Sequence, residues 1–259
     1  MLLDGRVVVV SGIGPGLGRA IALACAREGA DVVLAARSAD TLETVADEVR
    51  ATGRTATTVP TDVTDPDDVA GLATATVQAH GRVDALVNNA FVQPPLEPLL
   101  TATPDTWRQA FEVNLFGAVA VTNAFAPHLA ADGGGAVVFT ASMSARRVRR
   151  NFAVYSATKS ALLTTMQHYA NELGRDGVRA NAIVPGYVWG PNLEAWFAWQ
   201  AQKRDVDPDV VYDEVASETA LHHLPTSEEV ADAAVFLASD LSRAITGVGL
   251  DVNAGNWFH

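Results

Sequence analysis

Tyr155-Ser156-Ala157-Thr158-Lys159 sets a phenol and an ammonium four residues apart, and Ser142 stands thirteen residues before the tyrosine. Four residues apart on a helix means one shared face. An ammonium held beside a phenol favours the phenolate and draws the tyrosine pKa down from about 10 toward working pH. A tyrosine so placed can pass a proton to or from an alcohol oxygen. Ser142 follows the apolar run 136–140, which reads as a strand, so its hydroxyl is expected at a strand's carboxyl end. A surface tyrosine beside a solvated lysine gives the same four-residue pattern. The serine at this spacing and a glycine-rich turn at residues 11–18 are what argue for chemistry.

Those residues need a scaffold, and the pattern along the chain supplies one. Val7-Val8-Val9-Val10 is an apolar β-branched run suited to a strand buried on both faces. The periodicity predicts strands over residues 6–11, 31–36, 55–59, 84–88, 136–140, 178–184 and 245–252. Helices are predicted over 17–28, 40–52, 66–80, 104–129, 154–174 and 228–238, with Pro104 in a first turn and Pro127 marking a helix end. Residues 191–222 read as helical and irregular. Strands alternating with helices require parallel βαβ units with right-handed crossovers. The fold class expected is therefore α/β: one doubly wound parallel sheet with helices on both faces, in a single domain over 1–259. Ligands of such sheets bind beyond the carboxyl ends of the strands.

The first strand runs into Ser11-Gly12-Ile13-Gly14-Pro15-Gly16-Leu17-Gly18. Leu17 breaks a G-x-G-x-x-G reading, whereas Gly12, Gly16 and Gly18 fit G-x-x-x-G-x-G. Glycines between a first strand and a first helix let the backbone approach a pyrophosphate at the helix N-terminus. A plain βα turn is the other reading. About 20 residues beyond such a turn, an acid binds a ribose 2′-OH and an arginine accommodates a 2′-phosphate. Here Ala36 and then Arg37 end the second strand, which points to NADP(H) ahead of NAD(H) unless Arg37 is merely solvated. Asp62-Val63 after the third strand either covers an adenine edge or, through Asp62, begins a turn and caps the next helix. Asn88-Asn89-Ala90 ends the fourth strand, where side-chain amides can brace neighbouring strand ends.

Composition narrows the function class. A net charge of −12 disfavours nucleic acid and anionic membranes as partners. No uninterrupted apolar run approaches the ~20 residues of a bilayer span. Met1-Leu2-Leu3-Asp4 leads directly into a strand, so no signal peptide is expected. Cys25, the one cysteine, is expected in the core, and a cytoplasmic location follows by default.

Together these residues resemble the short-chain dehydrogenase/reductase (SDR) family, from about residue 4 to residue 254. The motifs that match are Gly12-x-x-x-Gly16-x-Gly18, Asn88-Asn89-Ala90, Asn114, Ser142, Tyr155-x-x-x-Lys159 and Pro185-Gly186. The resemblance implies hydride transfer between a nicotinamide and a carbonyl or alcohol carbon. It implies that Tyr155 is the general acid/base, that Ser142 hydrogen-bonds the substrate oxygen, and that Lys159 binds the nicotinamide ribose and lowers the Tyr155 pKa. Asn114 would hold a water linking Lys159 to solvent. Ser11, Gly12, Gly14, Gly16, Leu17, Gly18, Arg37, Asp62, Val63, Asn89, Ala90, Tyr155, Lys159, Pro185, Gly186 and Val188 would line the cofactor. A homotetramer pairing through the helices at 104–129 and 154–174 is implied as well. Three departures from the family pattern stand out: Ser11 replaces a threonine, Phe91 replaces a glycine, and Trp189-Gly190 stand where a threonine commonly meets the carboxamide.

The insertion at 187–225 is where this family builds its substrate lid. Trp189, Trp196, Phe197, Trp199 and Tyr212 crowd it, which suggests an apolar cyclic alcohol or ketone unless the rings pack on the protein. Phe91 and Ser144 join Trp189, Trp196 and Trp199 as expected pocket residues. Arg146-Arg147-Val148-Arg149-Arg150 passes near the same mouth. It would receive an anionic substrate, as in a 3-oxoacyl-thioester ketoreductase acting on an acyl carrier, or be a solvated loop or form salt bridges between subunits. His222-His223 has no third ligand at metal spacing, so no metal is expected. Outside enzymes, a catalytically silent nucleotide sensor or scaffold would keep the same fold.

Overall fold

The computed structural model describes residues 1–131 and 133–258. Four valines in a row form β1 (Val7–Ser11), each almost wholly buried, as a central parallel strand requires. After β1 come α1 (Leu17–Arg27), β2 (Asp31–Ala36), α2 (Ala39–Ala51), β3 (Ala56–Pro60), α3 (Pro66–His80) and β4 (Ala85–Asn88). The second half runs α4 (Pro104–Phe111), a π-helical segment (Glu112–Gly117), α5 (Ala118–Ala131), β5 (Ala136–Thr140), α6 (Ala153–Leu173) and β6 (Arg179–Pro185). It ends with α7 (Pro191–Arg204), α8 (Pro208–Ser217), α9 (Ser227–Ala238) and β7 (Gly249–Val252).

The strands form one parallel sheet in the order β3-β2-β1-β4-β5-β6-β7. Chain order reverses at β1, so the crevice between β1 and β4 is the switch point of the sheet. Register aligns the carboxyl ends there: Ser11 lies opposite Ala35 on one side and Asn88 on the other. On one face, Ile21, Val45, Val230 and Ala234 of α1, α2 and α9 cover the sheet. On the other, Val69, Phe125, Leu129, Leu162 and Met166 of α3, α5 and α6 do so. A third, smaller core of Phe197, Ala201, Val211, Ala216 and Leu224 belongs to α7, α8 and the segment after them.

Two predicted elements differ. The helix expected over 104–129 is broken by the π-helical segment, and Pro127 lies inside α5 rather than at its end. The run Pro104–Ala131 is long and apolar enough to cross a membrane by length and composition, yet its Val121, Phe125 and Leu129 are buried against the sheet. The last strand begins at Gly249, not at 245. Upstream of it, side chains supplement the backbone bonds: Gly247 N–H still donates to Ala180 O and Ala182 N–H to Val248 O, both at 2.8 Å, while Thr246 Oγ1 accepts from Ala180 N–H at 3.1 Å and Asn181 Oδ1 from Val248 N–H at 3.0 Å.

Candidate active site

The glycine turn is shaped from both sides. Gly12 has φ +102°, and a Cβ there would sit 2.2 Å from the Ala90 nitrogen; a Cβ on Gly18 would sit 2.2 Å from the Gly12 oxygen. Asn89 locks this crossing, its backbone N–H donating to Ser11 O at 2.8 Å and its Nδ2 to Gly12 O at 2.7 Å. Chain packing therefore requires Gly12 and Gly18. Gly14 and Gly16 are different: nothing lies within 4 Å of a Cβ built on Gly14, and only Ser227 Oγ, at 4.0 Å, near one on Gly16.

That open floor leads to the N-terminus of α1, which has neither a side-chain cap nor an acid in its first turn. By contrast, α2, α3 and α9 have the caps Ser38, Asp65 and Thr226 with acids close behind. A bare, uncharged helix start under an open glycine floor suits a pyrophosphate. Leu17 packs into the core beneath it. These residues thus fit a nicotinamide dinucleotide. Beside the turn, a cleft of about 270 Å³ is lined by Gly16, Arg19, Trp189, Gly190, Thr226 and Ser227 among others.

Along the crevice, Arg37 is exposed at the end of β2. Asp62 lies close enough to feel its charge. Bonds from the Thr64 backbone and hydroxyl, aided by Arg37, hold the Asp62 carboxyl below its usual range. Asp62 thus caps its own turn, while the cap of α3 is Asp65, not Asp62. Val63 packs on Gly117 of the π-helical segment, where a Cβ would lie 2.6 Å from it. Asn88 braces α5 through Thr122 Oγ1 at 2.9 Å. Gly186 N–H donates to Val252 O at 3.2 Å after Pro185 closes β6, and Val188 rests on the core.

At the next strand end, Ser142 Oγ accepts from the Ser144 N–H at 3.1 Å, which orients its hydroxyl; Ser144 itself is buried. The Ser142 hydroxyl lies close enough to the Tyr155 phenol to favour its ionised form. One turn along α6, the Lys159 side chain is 2% exposed, its Nζ donating to Thr140 O at 2.8 Å and lying 5.8 Å from the Tyr155 ring centroid. The Asn114 amide reaches Val92 in both directions, accepting from its N–H at 2.7 Å and donating to its carbonyl at 3.0 Å, and reaches Thr158 at 3.2 Å. One feature differs from expectation. The Tyr155 phenol is pushed up to about 12, chiefly by burial, with the Ser142 hydroxyl working against it. Burial likewise pushes Lys159 down to about 7. In the chain by itself, removal from water disfavours the charged form of each group.

The lid sorts its rings into two groups. Trp189, Phe197 and Tyr212 pack on one another, with Trp189 edge-on to Tyr212 at 4.7 Å and tilted on Phe197 at 5.4 Å. Trp196 and Trp199 remain 40% and 46% exposed, Trp196 tilted on the edge of this core at 5.3 Å from Phe197 and Trp199 with Lys203 over its ring. The arginine segment is mostly tied inward. Arg146 bonds Asp251 at 2.5 Å, Arg147 bonds Asn256 at 3.1 Å, and Arg149 bonds the Tyr187 hydroxyl while stacking on the rings of Phe152 and Tyr187. Thr140, Thr158 and Ser227 were not singled out from sequence. Their contributions are a carbonyl, a bridging hydroxyl and a cleft wall, which no residue-type pattern announces.

The family model described as enoyl-(acyl carrier protein) reductase matches residues 12–256. The L-rhamnose 1-dehydrogenase (NAD(P)(+)) of Azotobacter vinelandii is 35% identical over 260 residues, 98% of each chain. The chain belongs to the short-chain dehydrogenase/reductase family. Among solved structures of this family, carveol dehydrogenase from Mycobacterium avium in complex with NAD superposes with a TM-score of 0.91 at 28% identity, over 98% of both chains. A 7α-hydroxysteroid dehydrogenase complexed with NADH and 7-oxo glycochenodeoxycholic acid does so at 0.87 and 30%, over 98% of this chain and 94% of its own. The protein is accordingly an SDR oxidoreductase that works on CH–OH/C=O groups of small molecules with a nicotinamide cofactor. That excludes the silent-scaffold reading.

Proposed function

We propose that this enzyme interconverts a ring-borne secondary alcohol and its ketone, with Tyr155 as general acid/base. The observation that carries the reading is the juxtaposition of Tyr155 with Lys159, one helical turn away and 5.8 Å from its ring, and with Ser142, oriented by the Ser144 N–H just past the carboxyl end of β5. The bound nicotinamide supplies or accepts the hydride. Ser142, its hydroxyl aimed by the Ser144 N–H, holds the substrate oxygen. Tyr155 passes the proton to that oxygen in reduction and removes it in oxidation. Lys159 meets the nicotinamide ribose, and its ammonium favours the phenolate; burial disfavours each charge alone, so the pair gains most when charged together. Asn114, in the π-helical segment, anchors the water link from Lys159 to solvent; such segments recur at functional sites.

NADP(H) is the preferred cofactor in this reading, on the absence of an acid at Ala36 and the exposed Arg37 beside it. An apolar ring substrate is supported by the exposed aromatic surface of Trp196 and Trp199 in the lid and of Phe91 after β4. Trp189 is reassigned to the lid's own core and to the cleft beside Gly16. An acyl-thioester reductase reading would draw on the arginine segment. It is less favoured, because Arg146, Arg147 and Arg149 are held by groups of this chain. The reading includes a lid over 187–225 within one domain, a cytoplasmic location suited to a lone buried thiol at Cys25, and a homotetramer through α4, α5 and α6. A panel of ring and linear alcohols and ketones, assayed with NADP(H) and NAD(H), tests the assignment. Turnover confined to linear acyl thioesters would overturn it. Light scattering at the mass of one 27.2 kDa chain would overturn the tetramer.

A further inference from the structure

The family pattern has a glycine after Asn-Asn-Ala, and this chain has Phe91. Its ring is 53% exposed at the crevice, yet Lys159 Nζ lies over it, 5.8 Å from the centroid. The same nitrogen stands 5.8 Å from the Tyr155 ring, so the ammonium is flanked by two aromatic faces. Phe91 is not free to drift. On one side Ala90 is wedged against Gly12 and on the other Val92 is held at both its N–H and its carbonyl by the Asn114 amide.

Resting on the assignment of Lys159 above, we propose that Phe91 is a positioning residue whose ring face caps the Lys159 ammonium and keeps it charged in a buried setting. An aromatic face attracts a cation through its quadrupole, and more strongly where water is excluded. The groups around Lys159 leave this job open. From β5 it meets the Thr140 carbonyl and from its own helix the Tyr155 ring, and the nearby π-helical segment contributes the neutral Asn114, which bonds Thr158. Among the described residues no charged side chain shifts it; burial is the cause that lowers it. The ring thus opposes the effect that would otherwise strip the lysine of the proton on which its pairing with the Tyr155 phenolate depends.

The sequence makes a direct test simple, because Lys159 and Lys203 are the only lysines. Lysine-selective isotope labelling should give two side-chain NMR signals, with the exposed Lys203, over Trp199, as an internal reference. In Phe91→Leu, which keeps apolar bulk and loses the ring face, the Lys159 midpoint should fall by about half a unit relative to the parent. Phe91→Met, a second aliphatic of similar size, should do the same, and Phe91→Tyr should hold the parent value. In parallel, NADH affinity measured by fluorescence should weaken at a correspondingly lower pH in Phe91→Leu. A midpoint that stays put or rises in both aliphatic variants overturns the inference, because the ring then acts only as a wall against water. These titrations need no cofactor. A parent chain that binds neither NADH nor NADPH would overturn the functional reading separately.

Discussion

The strand-end site and the lid are both rich in residues that promise function, yet they use them in opposite ways. At the ends of β4 and β5 and in the π-helical segment beside them, polar groups are held by backbone partners: Asn89 on Gly12, Ser142 under the Ser144 N–H, Asn114 on Val92. In the lid, Trp189, Phe197 and Tyr212 are held by one another, and only Trp196 and Trp199 keep faces outside. A polar side chain at a sheet end takes its orientation from a rigid ladder. Rings in an insertion distant from the sheet must first build a core of their own. A concentration of aromatics is therefore weaker evidence for a binding wall than a concentration of oriented polar groups.

The sharpest way to break this comparison is within the lid. Phe197→Ala should cost about 3–5 kcal/mol of lid stability, the range for removing a buried phenylalanine, seen as loss of hydrogen-exchange protection across α7 and α8. Trp196→Ala should leave that protection intact and instead raise KM for ring substrates. If the two variants behave alike, the division of the rings fails. At the strand ends, Tyr155→Phe should lower kcat by at least ~100-fold, the scale of losing a positioned general acid, while NADH affinity by fluorescence holds. Near-parental turnover would remove Tyr155 from the chemistry.

Lys159 sharpens the contrast through pH. Burial holds it near 7 in the folded chain, against an ordinary 10.5. The unfolded chain thus binds more protons between those values, and the contribution of this residue to stability rises as pH climbs through that window. Lys159→Met should be more stable than the parent at pH 6 by roughly 1–3 kcal/mol, with the gap closing toward pH 10, while NADH affinity and turnover fall. Urea unfolding at both ends of the range reads the first effect; equal stability at pH 6 would show that Lys159 is hydrated. The smallest effect concerns Arg37. Arg37→Ala should lower the kcat/KM preference for NADP(H) over NAD(H) by about 10-fold, roughly 1.4 kcal/mol. An unchanged preference would make Arg37 a surface residue.

Much of the site was legible because it rests on local spacing. The valines of β1, the glycine turn, the Tyr155–Lys159 separation and the Ser142 interval each lie within one element or one βα junction. The failures are instructive for the same reason. Pro127 reads as a helix end because proline lacks an N–H, yet α5 continues through it to Ala131 with its apolar face held in the core. The last strand reads as eight residues, but regular pairing begins only at Gly249, and before it Asn181 and Thr246 side chains share the bonding with the backbone. The arginine segment reads as a surface cation cluster, and its partners Asp251 and Asn256 lie more than a hundred positions away.

By itself the sequence determined the parallel α/β plan, the family and the residues able to handle a proton and a dinucleotide, because each depends on periodicity or short-range geometry. Tertiary structure decided which of those residues are charged, buried or spent. Lys159 is driven toward neutrality by its surroundings, Phe91 is brought over it by a clamp from another element, and three arginines are consumed by the C-terminal segment and Tyr187. Desolvation and long-range pairing depend on what lies across the fold, and no window of sequence contains both partners.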